Sequence, residues 1–177
     1  MVGVSQFKIR PLRWNDFEDC CCIQRSLNKE LKKNPRLTMG RYRKVMTWDY
    51  LISDFTELYK EMKTGKATAL VAEINGHVVG LCTIGPVKWP DAPHVGELGY
   101  YIIKQYRNMG IGTQLVKETL KRNKGMYEII TAGTHSNNAA SKALIRKFKF
   151  RRYSFGPRFT KRGKIYLNVE TFYKQIK

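Results

Sequence analysis

The chain has 177 residues, of which 42% are hydrophobic and 12% are aromatic. That composition excludes an intrinsically disordered protein, and the length suits a single domain over residues 1–177. No run approaches the roughly 18 consecutive apolar residues of a membrane helix, and the first residues lack the apolar core of a signal peptide. We therefore expect a soluble, cytoplasmic protein that has no membrane partner.

Positive charge is the unusual feature of the composition, with a formal net charge of +19. It is concentrated in residues 142–177, which carry twelve basic residues and one acidic residue, interleaved with aromatics such as Phe155 and Phe159. Such a segment suits a weak association with nucleic acid or another polyanion. A solvated basic face that partly serves a phosphate-bearing cofactor would have the same composition, so both interpretations stay open.

The four cysteines are Cys20, Cys21, Cys22 and Cys82. Three of them are consecutive, a spacing that suits neither a mutual disulfide nor chelation of one metal ion. We expect a reduced, largely buried cluster on a helix and no metal site.

The first part of the chain predicts one strand and two helices. Residues 7–10 alternate apolar and polar side chains, as in a strand. Asn15 or Asp16 is a candidate cap for a helix that runs to about Lys33, before Asn34-Pro35. Residues 47–64 repeat apolar side chains at helical spacing, which predicts a second helix.

The remainder predicts a sheet with two further helices. Asn75-Gly76 is a strong two-residue hairpin signal between apolar runs. In chain order the pattern predicts strands over 67–74, 77–84 and 94–103, a helix over 113–122, a strand over 126–133, a helix over 138–148 and a strand over 165–172. The fold class is therefore α/β, with one mixed sheet.

One short motif indicates chemistry. Arg107-Asn108-Met109-Gly110-Ile111-Gly112 lies between a predicted strand and a predicted helix. Glycine allows a positive φ and a close approach of backbone to ligand, and amide N–H groups at a helix N-terminus suit a diphosphate. A mere tight turn would also explain two glycines. Neither a P-loop nor G-x-G-x-x-G with its later acid is present.

The motif resembles the acetyl-CoA signature of the GNAT superfamily of N-acetyltransferases. Upstream, the strand carries E-L-G-Y-Y-I from Glu97, and downstream Asn138-x-x-Ser141-x-x-Leu144 resembles the asparagine segment of that family. The resemblance implies a GNAT-like mixed, mostly antiparallel sheet flanked by helices, with a V-shaped cleft for acetyl-CoA as cosubstrate. It also implies an acyltransferase that acetylates an amine.

The same resemblance implies how the cofactor would be held. The strand backbone around Ile102 and Ile103 would pair with the pantetheine amides, and the loop Arg107–Gly112 would hold the pyrophosphate through main-chain N–H groups. The cofactor-binding residues implied are Tyr101, Ile102, Ile103, Arg107, Asn108, Met109, Gly110, Ile111, Gly112, Thr113 and Asn138.

Catalysis of amine acetylation needs a base, because an ammonium has no lone pair for attack. Glu97 matches the position at which many family members keep a glutamate, and its neighbours Val95, Leu98 and Tyr100 are apolar, which would strengthen it as a base. The alternative is a structural carboxylate paired with a lysine or arginine.

The general acid is less clear, because the family's usual tyrosine position is Ile145 in this chain. Tyr153 is our candidate in its place, with Ser136 and His135 as nearby alternatives. Two further alternatives are that water protonates the thiolate or that the thiolate departs without an acid. A covalent route through Cys82 is a weaker option, because no His-Asp pair accompanies it.

The acceptor stays open among a protein N-terminus, a lysine side chain and a small amine. Basic residues in the early segments would disfavour a polycationic acceptor if they lined the cleft; they are Lys29, Lys32, Lys33, Arg36, Arg41, Arg43 and Lys44. The competing hypothesis is a basic RNA- or ribosome-associated binding module on the same fold with weak or no transferase activity. A homodimer is left open.

Overall fold

The structure is a computed structural model that describes residues 6–36 and 46–176. Its helices and strands have the following bounds: β1 Lys8–Pro11, α1 Phe17–Lys33, α2 Trp48–Lys63, β2 Thr68–Ile74, β3 His77–Pro86, β4 Val95–Ile102, α3 Ile111–Arg122, β5 Ile129–His135, α4 Ala139–Lys147, β6 Arg151–Arg162 and β7 Ile165–Gln175. Short 3-10 turns precede α1 and follow β4.

One sheet joins the seven described strands in the order β1-β2-β3-β4-β5-β7-β6. Of these neighbours, β4 and β5 run parallel and the others run antiparallel. The hairpin between β2 and β3 turns at Asn75 and Gly76, which have φ of 51° and 81°. The structure confirms the α/β class and the mostly antiparallel sheet.

The parallel pair β4 and β5 is joined over a short stretch. Its register runs from Val95 opposite Ile129 to Glu97 opposite Thr131. Both strands continue beyond that point, β4 to Ile102 and β5 to His135, without being paired to each other. The C-terminal half of each strand therefore has an edge that does not bond to the other strand.

Helices cover both faces of the sheet because side chains alternate along each strand. Leu98, Tyr100 and Ile102 of β4 point into a core that includes Leu115 of α3 and Ile145 of α4. On the other face, Tyr101 and Ile103 pack against a second core that includes residues of α1 and α2. Each face of β4 therefore belongs to a different layer.

Three of the helices start as their sequences predict or close to it. The Thr47 hydroxyl accepts a hydrogen bond from the Tyr50 N–H at 3.2 Å, and Asn138 Oδ1 accepts one from the Ser141 N–H at 3.0 Å. These side chains cap α2 and α4. Helix α3 begins at Ile111, two residues before the expected Thr113.

The expected side-chain cap of α1 is not formed. Asp16 precedes the helix but has helical φ and ψ, and its carboxylate makes no capping bond to α1. It instead accepts hydrogen bonds from the Arg10 guanidinium at 2.7 and 2.8 Å and from the Arg13 N–H at 2.7 Å. Burial opposes ionisation of Asp16, but these bonds outweigh it and lower its pKa.

Strand β6 was not expected from the sequence. Its twelve residues are strongly basic and contain Gly156 and Pro157, and almost all of them are exposed. An edge strand needs no buried face, so its sequence lacks the apolar alternation that marks an internal strand. The preceding strand, β5, begins at Ile129 rather than 126.

The four cysteines all lie in the described part of the structure. Cys20, Cys21 and Cys82 are buried, Cys22 is exposed, and all four are free. Within residues 6–36 and 46–176, no group of three His, Cys, Asp or Glu side chains is arranged to hold a metal ion. No described helix is long and apolar enough to cross a membrane.

Candidate active site

A cavity of about 930 Å³ lies beside the C-terminal halves of β4 and β5, where the two strands no longer pair with each other. Its walls come from α1, α2, β3, β4, β5, the start of α3, α4, the end of β6 and Val169 of β7. The cavity is lined both by residues of the glycine loop and by residues with carboxylate side chains. The strand register explains its position, because the cavity occupies the side on which β4 and β5 have stopped pairing.

The glycine loop forms one end of the cavity. Asn108 and Gly110 have φ of 64° and 80°, and Gly110 is the residue that precedes α3. The Gln114 N–H donates to the Gly110 carbonyl at 3.1 Å, which leaves the N–H groups of Ile111, Gly112 and Thr113 ahead of the first helical hydrogen bond. This is the arrangement of donors that binds anions at helix N-termini.

Gly112 lines the cavity without being required by the fold. A Cβ built on it would lie 3.5 Å from Leu144 Cδ2 and 3.9 Å from Ile102 Cγ1, which are ordinary van der Waals contacts. The protein could therefore hold an alanine at this position. A glycine here leaves extra space in front of the helix N-terminus, which fits the approach of a diphosphate to the backbone.

The loop is anchored by its arginine. Arg107 Nη1 and Nη2 donate to the two carboxylate oxygens of Glu30 on α1 at 2.9 and 2.8 Å, and Nε donates to the Ile102 carbonyl at 3.0 Å. The side chain of Arg107 is thus engaged within the protein. Its contribution to an anion site would come through the loop backbone and its position.

The backbone at the end of β4 faces two directions. The Ile103 N–H donates to the Val79 carbonyl at 3.0 Å, and the Ile103 carbonyl accepts from the Tyr106 N–H at 3.0 Å. Because an antiparallel ladder alternates, Tyr101 bonds toward β3 like Ile103, whereas Ile102 faces the β5 side. Of Ile102 and Ile103, the two residues implied for pantetheine pairing, Ile102 has the backbone that points toward the cavity.

The remaining cofactor candidates divide by position. Those that line the cavity are Tyr101, Ile102, Arg107, Asn108, Gly110, Gly112, Thr113 and Asn138. Ile111 is buried in the core beneath α3, and Met109 packs against the same core. Asn138 reaches the cavity wall while its side-chain oxygen caps α4.

Glu97 lines the cavity, but its surroundings differ from the expected apolar ones. The side chain is exposed and stands on the strand opposite Gly85 on one side and Thr131 on the other. Leu98 faces the opposite layer of the sheet. Adjacent residues of a strand point to opposite faces, so apolar sequence neighbours do not enclose the carboxylate.

A second carboxylate, which the sequence did not single out, lies beside Glu97. Glu61 of α2 lines the same cavity, and its Oε2 is 3.4 Å from the position of a Cβ built on Gly85. Gly85 and Glu97 are direct antiparallel partners on one face, so the Glu61 and Glu97 carboxylates share that corner. Burial, with a contribution from the nearby Glu57, raises the pKa of Glu61.

The described early basic residues do not line the cavity, so the condition under which they would disfavour a polycationic acceptor is not met by them. Lys29, Lys32 and Lys33 are exposed on α1 and do not line the cavity, and neither does Arg36. Arg41, Arg43 and Lys44 lie outside the described residues. The wall contributed by α2 is acidic instead, although Lys88 approaches Glu57 at 3.6 Å.

The structure does not bring Tyr153 to the cavity. It lies on β6 with its ring edge-on to Tyr173 at 5.8 Å, and much of it is exposed. The strand that carries it was not anticipated, so its direction could not be judged from sequence. Of the alternatives, His135 lines the cavity with Nε2 3.3 Å from Thr160 Oγ1, whereas Ser136 does not line it.

Another hydroxyl occupies the wall. The Tyr100 hydroxyl is 2.7 Å from Ser141 Oγ, and both residues line the cavity. Burial raises the pKa of Tyr100, partly offset by the Ser141 hydrogen bond. Ser141 lies one helical turn before Ile145, which is 2% exposed and packed in the core.

Cys82 is remote from this chemistry. It is fully buried on β3, it does not line the cavity, and burial raises its pKa to about 12 despite a hydrogen bond with Thr119. A thiol that stays protonated and enclosed is a poor nucleophile. The geometry gives no support to a covalent route through Cys82.

Solved structures of other proteins share this fold. The N-acetyltransferase of Staphylococcus aureus Mu50 is 24% identical, with a TM-score of 0.81 over 98% of this chain and 100% of that one. The ribosomal-protein-alanine N-acetyltransferase of Brucella melitensis is 23% identical, with a TM-score of 0.81 and coverage of 96% and 99%. Salmonella typhimurium yncA, solved with its cofactor acetyl-CoA, is 20% identical, with a TM-score of 0.79 and coverage of 97% and 94%.

In sequence, no curated protein matches the chain significantly. The model of the acetyltransferase (GNAT) family matches residues 36–150, a stretch that contains Glu97, the glycine loop and the Asn138 segment. With the fold and the loop geometry in agreement, the chain belongs to the acetyltransferase (GNAT) family.

Proposed function

We propose that the protein is an acetyl-CoA-dependent N-acetyltransferase that acetylates a primary amine by direct attack. The observation that carries this proposal is one cavity in which a helix N-terminus rich in free N–H groups and a pair of carboxylates, Glu61 and Glu97, are both exposed to a ligand. Membership of the family supports acyl transfer, and the carboxylates support an amine as acceptor.

Acetyl-CoA, when bound, supplies an acetyl group that is activated as a thioester. The residues that would hold it are the N–H groups at the start of α3, around Gly112, for the pyrophosphate and the backbone of Ile102 for the pantetheine arm. Two observations support this placement: the positive φ of Gly110, and the space that Gly112 leaves at the cavity wall. The V-shaped cleft of the family would then correspond to the divergence of β4 and β5.

The acidic corner favours an amine over a hydroxyl. A primary amine reaches the protein as an ammonium ion, which Glu57, Glu61 and Glu97 attract. One of these carboxylates then takes the proton, directly or through water, and leaves the nitrogen lone pair free for attack. Glu97 is our first candidate for this base. Glu61 is the second candidate, because its raised pKa makes it more readily protonated than an ordinary glutamate.

The departing thiolate would be protonated by Tyr100 rather than by Tyr153. The Tyr100 hydroxyl reaches the cavity wall and is held by Ser141, whose own N–H is fixed by the cap of α4. An acid that is oriented by a second hydroxyl can recover its proton from solvent along the same hydrogen bonds. We also propose a cytoplasmic location, where such an enzyme would meet acetyl-CoA.

The test has two parts. Acetyl-CoA should raise the melting temperature of the protein. Desulfo-CoA, which has no acetyl group, should raise it nearly as much, because the loop is proposed to bind the pyrophosphate that both molecules share. Labelled acetyl-CoA should then be screened against peptides with free N-termini, lysine side chains, polyamines and amino sugars. Absence of any thermal shift would overturn the donor assignment. Transfer only to hydroxyl acceptors would overturn the amine assignment.

A further inference from the structure

A surface that borders the cavity at Thr160, Lys161 and Arg162, and extends away from it, has the properties of a second binding site. The outer edge of the sheet is formed by residues 151–166, the last part of which turns into β7, and we call this segment the basic hairpin. Large aromatic side chains project from it into solvent: Tyr153 is 58% exposed, Phe155 52%, Phe159 76% and Tyr166 43%. Four exposed aromatic rings within one hairpin are more than an ordinary surface carries.

The charge of the hairpin has one sign. Residues 151–166 include six arginines and lysines and no acidic residue. The Arg158 guanidinium lies 4.1 Å from the centre of the Tyr166 ring, and Lys161 Nζ lies 5.5 Å from it. Lys161 and Tyr166 are direct partners in the β6–β7 register. Cations and an aromatic ring are therefore in direct contact at the Tyr166 end of the hairpin.

The middle of the hairpin is a defined structure. The register shifts between Gly156 and Thr160, Arg158 has a φ of 52°, and its N–H donates to Asn168 Oδ1 at 2.8 Å. Phe159 folds over Gly156, where a built Cβ would lie 3.1 Å from Phe159 Cδ2. This bulge fixes Phe159 as a projecting ring instead of allowing it to collapse onto the sheet.

The patch restricts the chemistry of its occupant. Pairing with the β6 edge of a second copy would bring the same arginines and lysines of the two chains together, which like-charge repulsion opposes. A neutral apolar partner would leave the cations without counter-charges. A polyanion that also offers flat apolar faces satisfies both features, and single-stranded nucleic acid is such a ligand, with bases that stack on aromatics and phosphates that pair with lysine and arginine.

We propose that the basic hairpin binds single-stranded RNA, with bases stacked on Phe155 and Phe159 and phosphates held by Arg151 and Arg158. RNA is preferred over DNA because loops and ends with unstacked bases are a regular feature of folded RNA, whereas cellular DNA keeps its bases inside a duplex. This site is separate from the proposed acetyl transfer, and neither depends on the other.

The experiment measures fluorescence anisotropy of labelled uridine 12-mer RNA with the full chain at 150 mM and 300 mM KCl. Phe159→Ala and Phe155→Ala, which change no charge, should each weaken binding about tenfold. The Arg151→Ala/Arg158→Ala double variant should weaken binding and reduce the salt dependence by about 1.4 in log-log slope. The matched controls are Trp89→Ala, an exposed aromatic between β3 and β4, and Lys121→Ala/Arg122→Ala, two exposed cations at the end of α3.

The proposal is overturned if the phenylalanine variants bind RNA like the wild type, or if the Lys121/Arg122 control loses as much affinity as the hairpin pair. In both cases the attraction would come from net charge alone. Duplex RNA bound as tightly as the 12-mer would also reject it, because its bases are not available for stacking. Sedimentation velocity provides a further arm, since a dimer that Phe159→Ala dissolves would make the hairpin an interface between two copies. Melting temperatures check that each variant folds.

Discussion

Arg107 of the glycine loop grips Glu30 of α1 through two hydrogen bonds of 2.9 and 2.8 Å. The third donor of the same guanidinium bonds to the last carbonyl of β4, that of Ile102. One side chain therefore ties together the loop proposed to hold the pyrophosphate, the strand proposed to hold the pantetheine arm and a helix of the opposite layer. In the proposed complex, Arg107 would set the position of the anion site without contacting the anion itself.

The first prediction follows from that role. Arg107→Lys replaces a planar fork of donors by one ammonium group, which cannot bond both Glu30 and the Ile102 carbonyl. We expect acetyl-CoA to bind about tenfold more weakly by isothermal titration calorimetry, with a smaller effect on kcat. Arg122→Lys, an exposed change at the end of α3, is the control and should leave affinity unaltered. An affinity like that of the wild type in Arg107→Lys would show that the anchor does not matter.

The second prediction separates stability from binding at the glycines. Gly112→Ala makes ordinary contacts in the fold and removes a flexible residue from a helix, so the melting temperature should stay the same or rise. The added methyl group would occupy the space proposed for the pyrophosphate, so acetyl-CoA affinity should fall at least tenfold. Gly110→Ala, at a φ of 80°, should instead destabilise the protein by about 1–2 kcal/mol. Gly112→Ala with undiminished affinity would remove the pyrophosphate assignment.

The third prediction concerns the two carboxylates. Glu97→Gln should lower kcat about 100-fold with little change in acetyl-CoA affinity. Glu61→Gln should lower it less, and the double variant should lose less than the product of the single losses, because the two groups share one corner. Steady-state kinetics of all four proteins complete the cycle. Independent, multiplicative losses would indicate that Glu61 and Glu97 do not act on the same proton.

Glu61 also predicts how the stability of the folded protein depends on pH. Burial raises its pKa, so the folded protein holds this proton more tightly than the unfolded chain does. Its contribution to stability is present at low pH and is lost as the pH rises through the folded pKa. Glu61→Gln should therefore raise the melting temperature at pH 7 relative to the wild type and have little effect at pH 4. Thermal scans across this range would reject the burial argument if the two curves ran parallel.

The fourth prediction compares two tyrosines. Tyr100→Phe removes the hydroxyl that bonds Ser141 and should lower kcat about 10- to 100-fold, with the loss concentrated in chemistry rather than in acetyl-CoA affinity. Tyr153→Phe, on the exposed face of β6, should leave kcat unchanged. Single-turnover measurements distinguish a slower chemical step from slower product release. A large effect at Tyr153 and none at Tyr100 would reverse the assignment.

The fifth prediction concerns acid stability. Arg10 and Asp16 are both buried, and Asp16→Asn would leave Glu73 as the remaining carboxylate partner of the guanidinium, at a cost of about 2 kcal/mol. Because the pKa of Asp16 is lowered, its stabilising effect is present at neutral pH and disappears as the pH falls below the ordinary aspartate range. Urea unfolding at pH 7 and pH 3 should show a smaller difference between variant and wild type at pH 3 than at pH 7.

Much of the fold, and the glycine loop within it, could be predicted from local sequence patterns. Thr47 and Asn138 carry the capping chemistry of their helices, and Asn75-Gly76 carries that of a hairpin, so these signals are independent of tertiary structure. β6 could not be found this way, because a solvated edge strand such as Arg151–Arg162 has no apolar face to produce a period.

Only the part of the candidate site that is contiguous in sequence could be predicted. The glycine loop is contiguous in sequence, whereas Glu61 comes near Glu97 because α2 packs over β3 beside Gly85. A helical pattern shows which face of α2 is apolar but not what its polar edge overlooks. The position of Tyr153 could not be predicted for a related reason, since it depends on β6, a strand that the sequence pattern does not reveal.

The place of β7 in the sheet has a consequence for biosynthesis. β5 borders the cavity with one edge, and its other edge is held by β7, which follows β6 in sequence. While the chain is being made, β5 leaves the ribosome before the strand that fixes it, and that wall of the cavity cannot be completed until β7 has emerged. The nascent protein should therefore gain the ability to bind its donor late, as one of the final events of folding.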